Sequence, residues 1–263
     1  MAAIDKVRVI VVGDSGVGKT SLTHLITQNE PLTSPGWTIG CSVEVKLHKY
    51  KEGTPAQNTY FLELWDVGGF SNHRNARGVF YQPTHGMILV HDLTNRKSQQ
   101  NLQKWLTEVL NRESGGKSSN VDVDPEQFVG TTQIPILVIG TKWDLAEKKQ
   151  RVNQLRMAGS IAEQCGADEI FVNCHQTRSL APGNSSAVKL TRFFDKAVST
   201  VMQLVTEGNN EDLRGLLTKA AHATLRDDLL QPGVEGVRRM LAIQPSDIKV
   251  AAPRRTENSV TWT

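Results

Sequence analysis

The sequence is poor in several features that would settle its class at once. Only three cysteines, Cys41, Cys165 and Cys174, occur in 263 residues, too few and too scattered for a disulfide framework or a cysteine-built metal cluster. A reduced, cytoplasmic compartment is the expectation that follows. Excess charge is scarce as well: the formal net charge is +3 and 22% of residues are charged, which excludes a broad nucleic-acid footprint and disorder throughout the chain. Long apolar runs are missing. The one near the N-terminus, residues 9–12, is far shorter than a signal peptide or a membrane span and leads into a glycine-rich loop. There is no internal repeat. The expectation is a soluble chain with no nucleic-acid partner, at most an indirect membrane association, and partners chosen by specific sites.

What is present is a core. Hydrophobic residues make up 38% of the chain, and its length fits one domain of about 150–200 residues with an appendage, or one large domain. Short apolar runs alternate with helical patterns, the layout of βα units around a mostly parallel sheet. The run "VRVIVV" at residues 7–12 is apolar enough to be buried on both faces. A helix is predicted over residues 19–28, and alternating strands over 41–50 and 60–65 flank the turn "KEGTPAQN", which reads as an antiparallel edge hairpin. Further strands are predicted at 87–92, 134–140 and 169–174, and helices at 98–112, 148–165 and 187–205. Residues 115–133 form a polar insertion where a short connection is usual. After "EGNN", residues 207–263 read as a C-terminal extension, partly helical (residues 234–243) or disordered.

The strongest chemical signal is "GDSGVGKT", Gly13 to Thr20, between the first strand and the first helix. Its Gly-x4-Gly-Lys-Thr spacing lets backbone N–H groups curl around phosphate oxygens at the positive end of a helix. Lys19 supplies a charge for the β and γ phosphates, and the Thr20 hydroxyl suits Mg2+; the alternative is an ordinary glycine-rich turn. After the strand at 134–140 comes "TKWD", Thr141 to Asp144. Its carboxylate can accept two hydrogen bonds from guanine, which carries N1–H and an N2 amine where adenine does not. An Asp that caps a helix is the competing reading.

"GDSGVGKT", "WTIG", "WDVGG" and "TKWD" occur in the order and at the spacing of Ras-superfamily small GTPases, and over residues 5–205 the chain resembles the Rab branch. The stretches "TIGCSVEV", "ELWDVGG", "GMILVHDLTN" and "AVKLTRFFDK" look most like a divergent Rab-like group. The resemblance implies the P-loop small-GTPase fold over residues 1–206: a mostly parallel six-stranded sheet with one antiparallel edge hairpin and helices on both faces. It also implies a GTP/GDP switch with Mg2+, protein effectors and regulators, and a role in signalling or trafficking. Gly13, Asp14, Ser15, Gly16, Val17, Gly18, Lys19, Thr20 and Ser21 would wrap the phosphates. Thr20 and Thr38 would complete the Mg2+ sphere, with Asp66 acting through a bound water. Lys19, Thr38 and Gly69 would serve catalysis, Gly69 through its backbone N–H. Lys142 would cover the base and Asp144 select guanine, with Thr141, Cys174 and His175 also beside it. A plain loop threonine at Thr38 and a core cysteine at Cys174 are the competing readings.

Departures from the family pattern carry expectations of their own. Phe70 stands where efficient members carry a water-orienting glutamine, and a phenyl ring neither donates nor accepts that hydrogen bond. Slow intrinsic hydrolysis is expected. Ser71, Asn72, His73 or Arg74 could substitute, or simply form a solvated loop face. Thr141 replaces an asparagine that braces the P-loop and touches the base, a loss of about 1–3 kcal/mol, and fast nucleotide exchange is expected. Pro31 occupies the place of an aromatic that flanks guanine. The terminal "ENSVTWT" has no cysteine for prenylation, so no prenyl anchor is expected, and the cluster Pro253-Arg254-Arg255 is too small to hold a membrane alone. The alternative to a slow switch is a nucleotide-stabilised interaction module or homodimer, to which an apolar Phe70 on a mobile loop is suited. An ATP-using P-loop enzyme is opposed by Asp144.

Overall fold

A computed structural model describes residues 6–113, 134–148 and 160–206. In chain order the elements are β1 (Lys6–Val12), α1 (Lys19–Gln28), β2 (Cys41–Tyr50), β3 (Asn58–Val67), α2 (Arg74–Arg77) and β4 (Gly86–Asp92). They continue with α3 (Arg96–Gln100), α4 (Leu102–Glu113), β5 (Ile136–Thr141), α5 (Trp143–Lys148), α6 (Ile161–Gln164), β6 (Asp168–Phe171) and α7 (Ser185–Thr206). The polar insertion at 115–133, the middle of the helix predicted at 148–165 and the extension from 207 onward, with its 234–243 and 253–255 segments, lie outside the described residues.

Side-chain alternation along β1 explains why its sequence is apolar throughout. Val7, Val9 and Val11 face the cluster that holds Leu22, Leu25, Ile88, Val90, Phe193 and Phe194. Ile10 and Val12 face the opposite cluster, with Met87, Leu89, Leu102, Trp105 and Val109. Both faces of the sheet are therefore covered, α1 and α7 on one side and α4 on the other, as parallel strands require. The six strands run in the order β2-β3-β1-β4-β5-β6. β2 and β3 pair antiparallel and every other pair is parallel, as the sequence predicts.

Three of the differences from the expected boundaries bear on the site. The helix predicted at 98–112 is two helices with Asn101 between them, and it starts earlier because the Asn95 side chain accepts from Lys97 N–H at 3.1 Å. β6 stops at Phe171 rather than residue 174. Beyond it the chain turns: Gln176 N–H donates to the Asn173 carbonyl at 3.2 Å, and His175 N–H donates to Asn173 Oδ1 at 2.9 Å. Third, α5 begins directly after Lys142, a residue at φ 57°, five residues before the helix start expected at 148. No helix among the described residues is long and apolar enough to cross a membrane. The topology brings the carboxyl ends of β1, β3, β4 and β5 to one edge, the place where open α/β sheets bind ligands.

Candidate functional site

β1 delivers the chain to Gly13 at that edge. Gly13 has φ 153°, and a Cβ there would run into the Val90 carbonyl, so the turn between strand and helix admits no side chain. The loop closes onto Lys19, the first residue of α1. Its ammonium donates to the carbonyls of Gly13 and Asp14, both at 2.9 Å, and the residue is only 6% exposed. Burial pushes the Lys19 pKa down, with Asp66 and Asp14 opposing that shift. A cation held dry in its own loop, beside the free N–H groups that open a helix, is a cradle for polyanions.

The next residue begins a second constellation. Thr20 Oγ1 donates to Asp66 Oδ2 at 2.5 Å, Thr38 Oγ1 donates to the same oxygen at 3.1 Å, and the two hydroxyls lie 2.9 Å apart. Three segments meet here: α1, the loop before β2, and the end of β3, where Asp66 pairs in register with Val11 of β1. Asp66 is 1% exposed, and its Oδ1 is buried without a hydrogen-bond partner. Burial raises its pKa, while Lys19 and the two hydroxyls pull it back. A donor set of one carboxylate and two hydroxyls, all hard oxygens with one carboxylate oxygen unsatisfied, fits Mg2+, which takes few protein ligands and keeps water and phosphate oxygens around it.

β3 then passes into the loop at 68–70. Gly68 N–H donates to the Gly40 carbonyl at 2.8 Å, which ties this loop to the segment that carries Thr38. A Cβ on Gly69 would come within 2.5 Å of the Asp14 carbonyl carbon and the Ser15 nitrogen. The backbone at 69 therefore lies directly on the P-loop. A cavity of about 400 Å³ opens between them, lined by Ser15, Gly16, Gly18, Lys19, Thr20, Ser21, Trp37, Thr38, Gly69 and Phe70. Phe70 meets Trp37 edge to face at 6.4 Å between ring centroids, and His73 packs against Phe70 at 5.7 Å. The roof of the phosphate cavity is aromatic.

At the base end one expectation needs correction. Thr141 does brace the P-loop: its Oγ1 lies 2.5 Å from the Val17 carbonyl and 3.0 Å from the His91 carbonyl, and the residue is 1% exposed. The hydroxyl reproduces the anchoring half of an asparagine with its single hydrogen, so the anticipated loss of the brace does not occur. Lys142 Nζ donates to Asp92 Oδ2 at 2.7 Å. Although burial pushes the Asp92 pKa up, the Lys142 and Thr94 bonds outweigh it and hold the carboxyl below its ordinary value. Asp144 is the second residue of α5, not its cap. It lines a cavity of about 1110 Å³ with Trp143, Asn173, His175 and Gln176 among others.

Cys174 is 8% exposed and belongs to the core cluster. Burial, with the charge of Asp144, pushes its thiol up to about 12. Its side chain is a packing group, the competing reading, and it offers no thiolate. His175 borders the cavity, but its N–H is already engaged by Asn173 Oδ1.

Pattern reading missed Asp92 and Asn173, which hold Lys142 and the 173–176 turn, and it missed the polar role of Trp105. Trp105 Nε1 donates to Asp14 Oδ1 at 2.9 Å, and Asn101 Nδ2 donates to Asp14 Oδ2 at 2.7 Å. Their spacing of four residues, which places two N–H donors on one helix face, was the available signal.

A model of the Ras family matches residues 8–180. Rab-like protein 3 of Xenopus tropicalis is 53% identical over 205 residues, which cover 75% of this chain and 87% of that protein. The Homo sapiens Rab-like protein 3 is 50% identical over 216 residues, 80% of this chain and 91% of that protein. Small GTPase LIP1 of Arabidopsis thaliana is 42% identical over 154 residues, 55% of this chain and 43% of that protein.

The brace can be tested directly. Thr141→Val keeps the shape and removes the hydroxyl, and should weaken GDP binding by about 1 kcal/mol, or roughly fivefold, with faster release in stopped-flow traces. Unchanged release would mean that this bond does not support the nucleotide loop.

Proposed function

The chain belongs to the Ras family of small GTPases, GTP-binding switches of Ras and Rab type, and we propose that it is a slow one. In this reading Mg2+-GTP orders Thr38 and Gly69, and a protein effector reads the result. The observation that carries the proposal is Phe70: an aromatic ring lines the phosphate cavity at the position from which a polar side chain would orient the attacking water.

The candidate site residues divide the work as follows in this reading. Lys19 and the N–H groups of residues 13–18 bind the β and γ phosphates. Thr20 and Thr38 would hold Mg2+ through their hydroxyls, and Asp66, whose Oδ1 has no partner, would act through a bound water. Bound Mg2+ supplies neutralisation of the charge that grows on the phosphate oxygens. Gly69 N–H faces the γ-phosphate, so this loop distinguishes GTP from GDP. Lys142 covers the base and Asp144 accepts from guanine. Two of the neighbours that could replace the missing glutamine are otherwise engaged: His73 packs on the Phe70 ring, and Arg74 Nε is bonded to Glu108 at 3.2 Å. Cys41, Cys165 and Cys174, two of them buried and none in a disulfide, support a reducing, cytoplasmic setting. Residues 1–206 form the switch domain in this reading, and residues 207–263 an appendage to it.

A second reading has its own observation. Trp37 is 82% exposed and Phe70 41%, and together they make a contiguous aromatic surface suited to a protein contact or a second copy of the chain. Self-association or partner binding of equal strength with GDP, GTP and no nucleotide would favour a nucleotide-stabilised module over a switch.

Two experiments test the switch. In single-turnover assays Phe70→Gln should raise GTP hydrolysis on the order of tenfold or more; an unchanged rate would show that the remaining machinery is not catalytic. Chelation of Mg2+ should accelerate GDP release from the wild type and have little effect on Asp66→Asn, whose release should already be fast. Equal sensitivity of the two proteins would remove Asp66 from the cation site.

A further inference from the structure

Arg77 is a buried cation that the proposed chemistry does not use. It lies on α2 at 6% exposure, and its guanidinium carbon is 3.9 Å from the centroid of the Trp105 ring. Two of its nitrogens form a fork on Glu108: Nε to Oε1 at 2.6 Å and Nη2 to Oε2 at 2.7 Å. Tyr81 OH donates to the same carboxylate at 2.7 Å. The third nitrogen, Nη1, donates to the Phe70 carbonyl at 3.5 Å, the outer limit of such a bond. Trp105, the ring beneath Arg77, is the residue that holds Asp14 through its indole N–H.

These contacts give α4 two hands. With Trp105, helped by Asn101 just before its first residue, it grips Asp14 of the P-loop, and with Glu108 and the face of Trp105 it grips Arg77, which reaches the chain one residue beyond Gly69. At the phosphate site burial lowers the Lys19 pKa most, and the charge of Arg77 adds a smaller lowering of its own. Both loops that border the phosphate cavity are thus referred to one helix, and the distance between them is set there.

We infer that Arg77 is a positioning residue for recognition of the γ-phosphate: clamped between Glu108 and Trp105, it holds the Phe70 carbonyl and so keeps Gly69 N–H directed at the phosphate cavity. The inference rests on the proposed contact of Gly69 with the γ-phosphate. It assigns different consequences to the two hands. Loss of the Arg77 hand affects GTP and spares GDP, because GDP has no group for Gly69 to meet. Loss of the Asp14 hand affects both nucleotides, because the P-loop holds the phosphates they share.

The test is calorimetric titration of full-length protein with Mg2+-GDP and with a non-hydrolysable Mg2+-GTP analogue, alongside thermal melting. Arg77→Lys keeps the charge but not the planar fork. It should lower the ratio of GTP-analogue to GDP affinity by about fivefold and leave GDP affinity within about twofold. Glu108→Gln, which keeps Arg77 and its stack but weakens the fork, should move the ratio in the same direction if the lysine variant folds poorly. Trp105→Phe, which keeps the ring and loses the Asp14 bond, should weaken both nucleotides together.

A loss of melting temperature in Arg77→Lys and Glu108→Gln with the ratio unmoved would overturn the inference and leave Arg77 a purely structural strut. Gly69→Ala separates this outcome from failure of the underlying reading. If it lowers the ratio while the Arg77 and Glu108 variants do not, only the positioning role falls. If it too leaves the ratio unchanged, the γ-phosphate contact falls and the role of Arg77 falls with it.

Discussion

Two opposite charges buried at the carboxyl edge of the sheet constrain everything around them. Lys19 and Asp66 are 6% and 1% exposed, and removing an ion from water costs several kcal/mol unless its surroundings compensate. The compensation is local. Lys19 takes two carbonyls of its own loop, Asp66 takes two hydroxyls from different segments, and each charge favours the ionised form of the other. This arrangement requires β1 and β3 to be neighbours in parallel register. It also requires the Thr38 loop to cross over both. The fold is thus organised around a site with positive charge, N–H groups and one unsatisfied carboxylate oxygen, the complement of a phosphate chain with a hard cation.

Around that centre the fold ties its loops together pairwise. Gly68 bonds to Gly40, Gly69 rests on the P-loop, Thr141 holds Val17, and α4 holds Asp14. The first three links join loops of the site to one another, and the fourth anchors the P-loop to α4. A small family of such links is what a two-state switch needs. Phe70 packs on Trp37 and His73 beside the cavity, and in the proposed function its ring offers the attacking water nothing to bond.

Legibility in the sequence followed the range of the interactions. The P-loop was readable because glycines, lysine and threonine act within eight consecutive residues, and the hairpin and central strands were readable from local alternation and apolar runs. Asp66 and Gly69 were readable only with the family pattern. Thr141 was read wrongly because its bond crosses 124 positions of sequence, and a hydroxyl can do part of an amide's work. Cys174 was ambiguous because a buried thiol and a loop residue look alike when the strand end is misplaced by three residues. The break at Asn101 and the grip on Asp14 escaped a periodicity argument for the same reason. Apolar spacing reports which face is buried, while a hydrogen bond from Trp105 or Asn101 depends on what lies opposite.

The account stands on the claim that this charge-built pocket takes a guanine nucleotide with Mg2+. Titration calorimetry with GDP, GTP and ATP in the presence of Mg2+ tests it most directly. The prediction is saturable binding of GDP and GTP, with ATP bound at least about a hundredfold more weakly because its base cannot donate to Asp144. ATP binding as tight as GTP would contradict it.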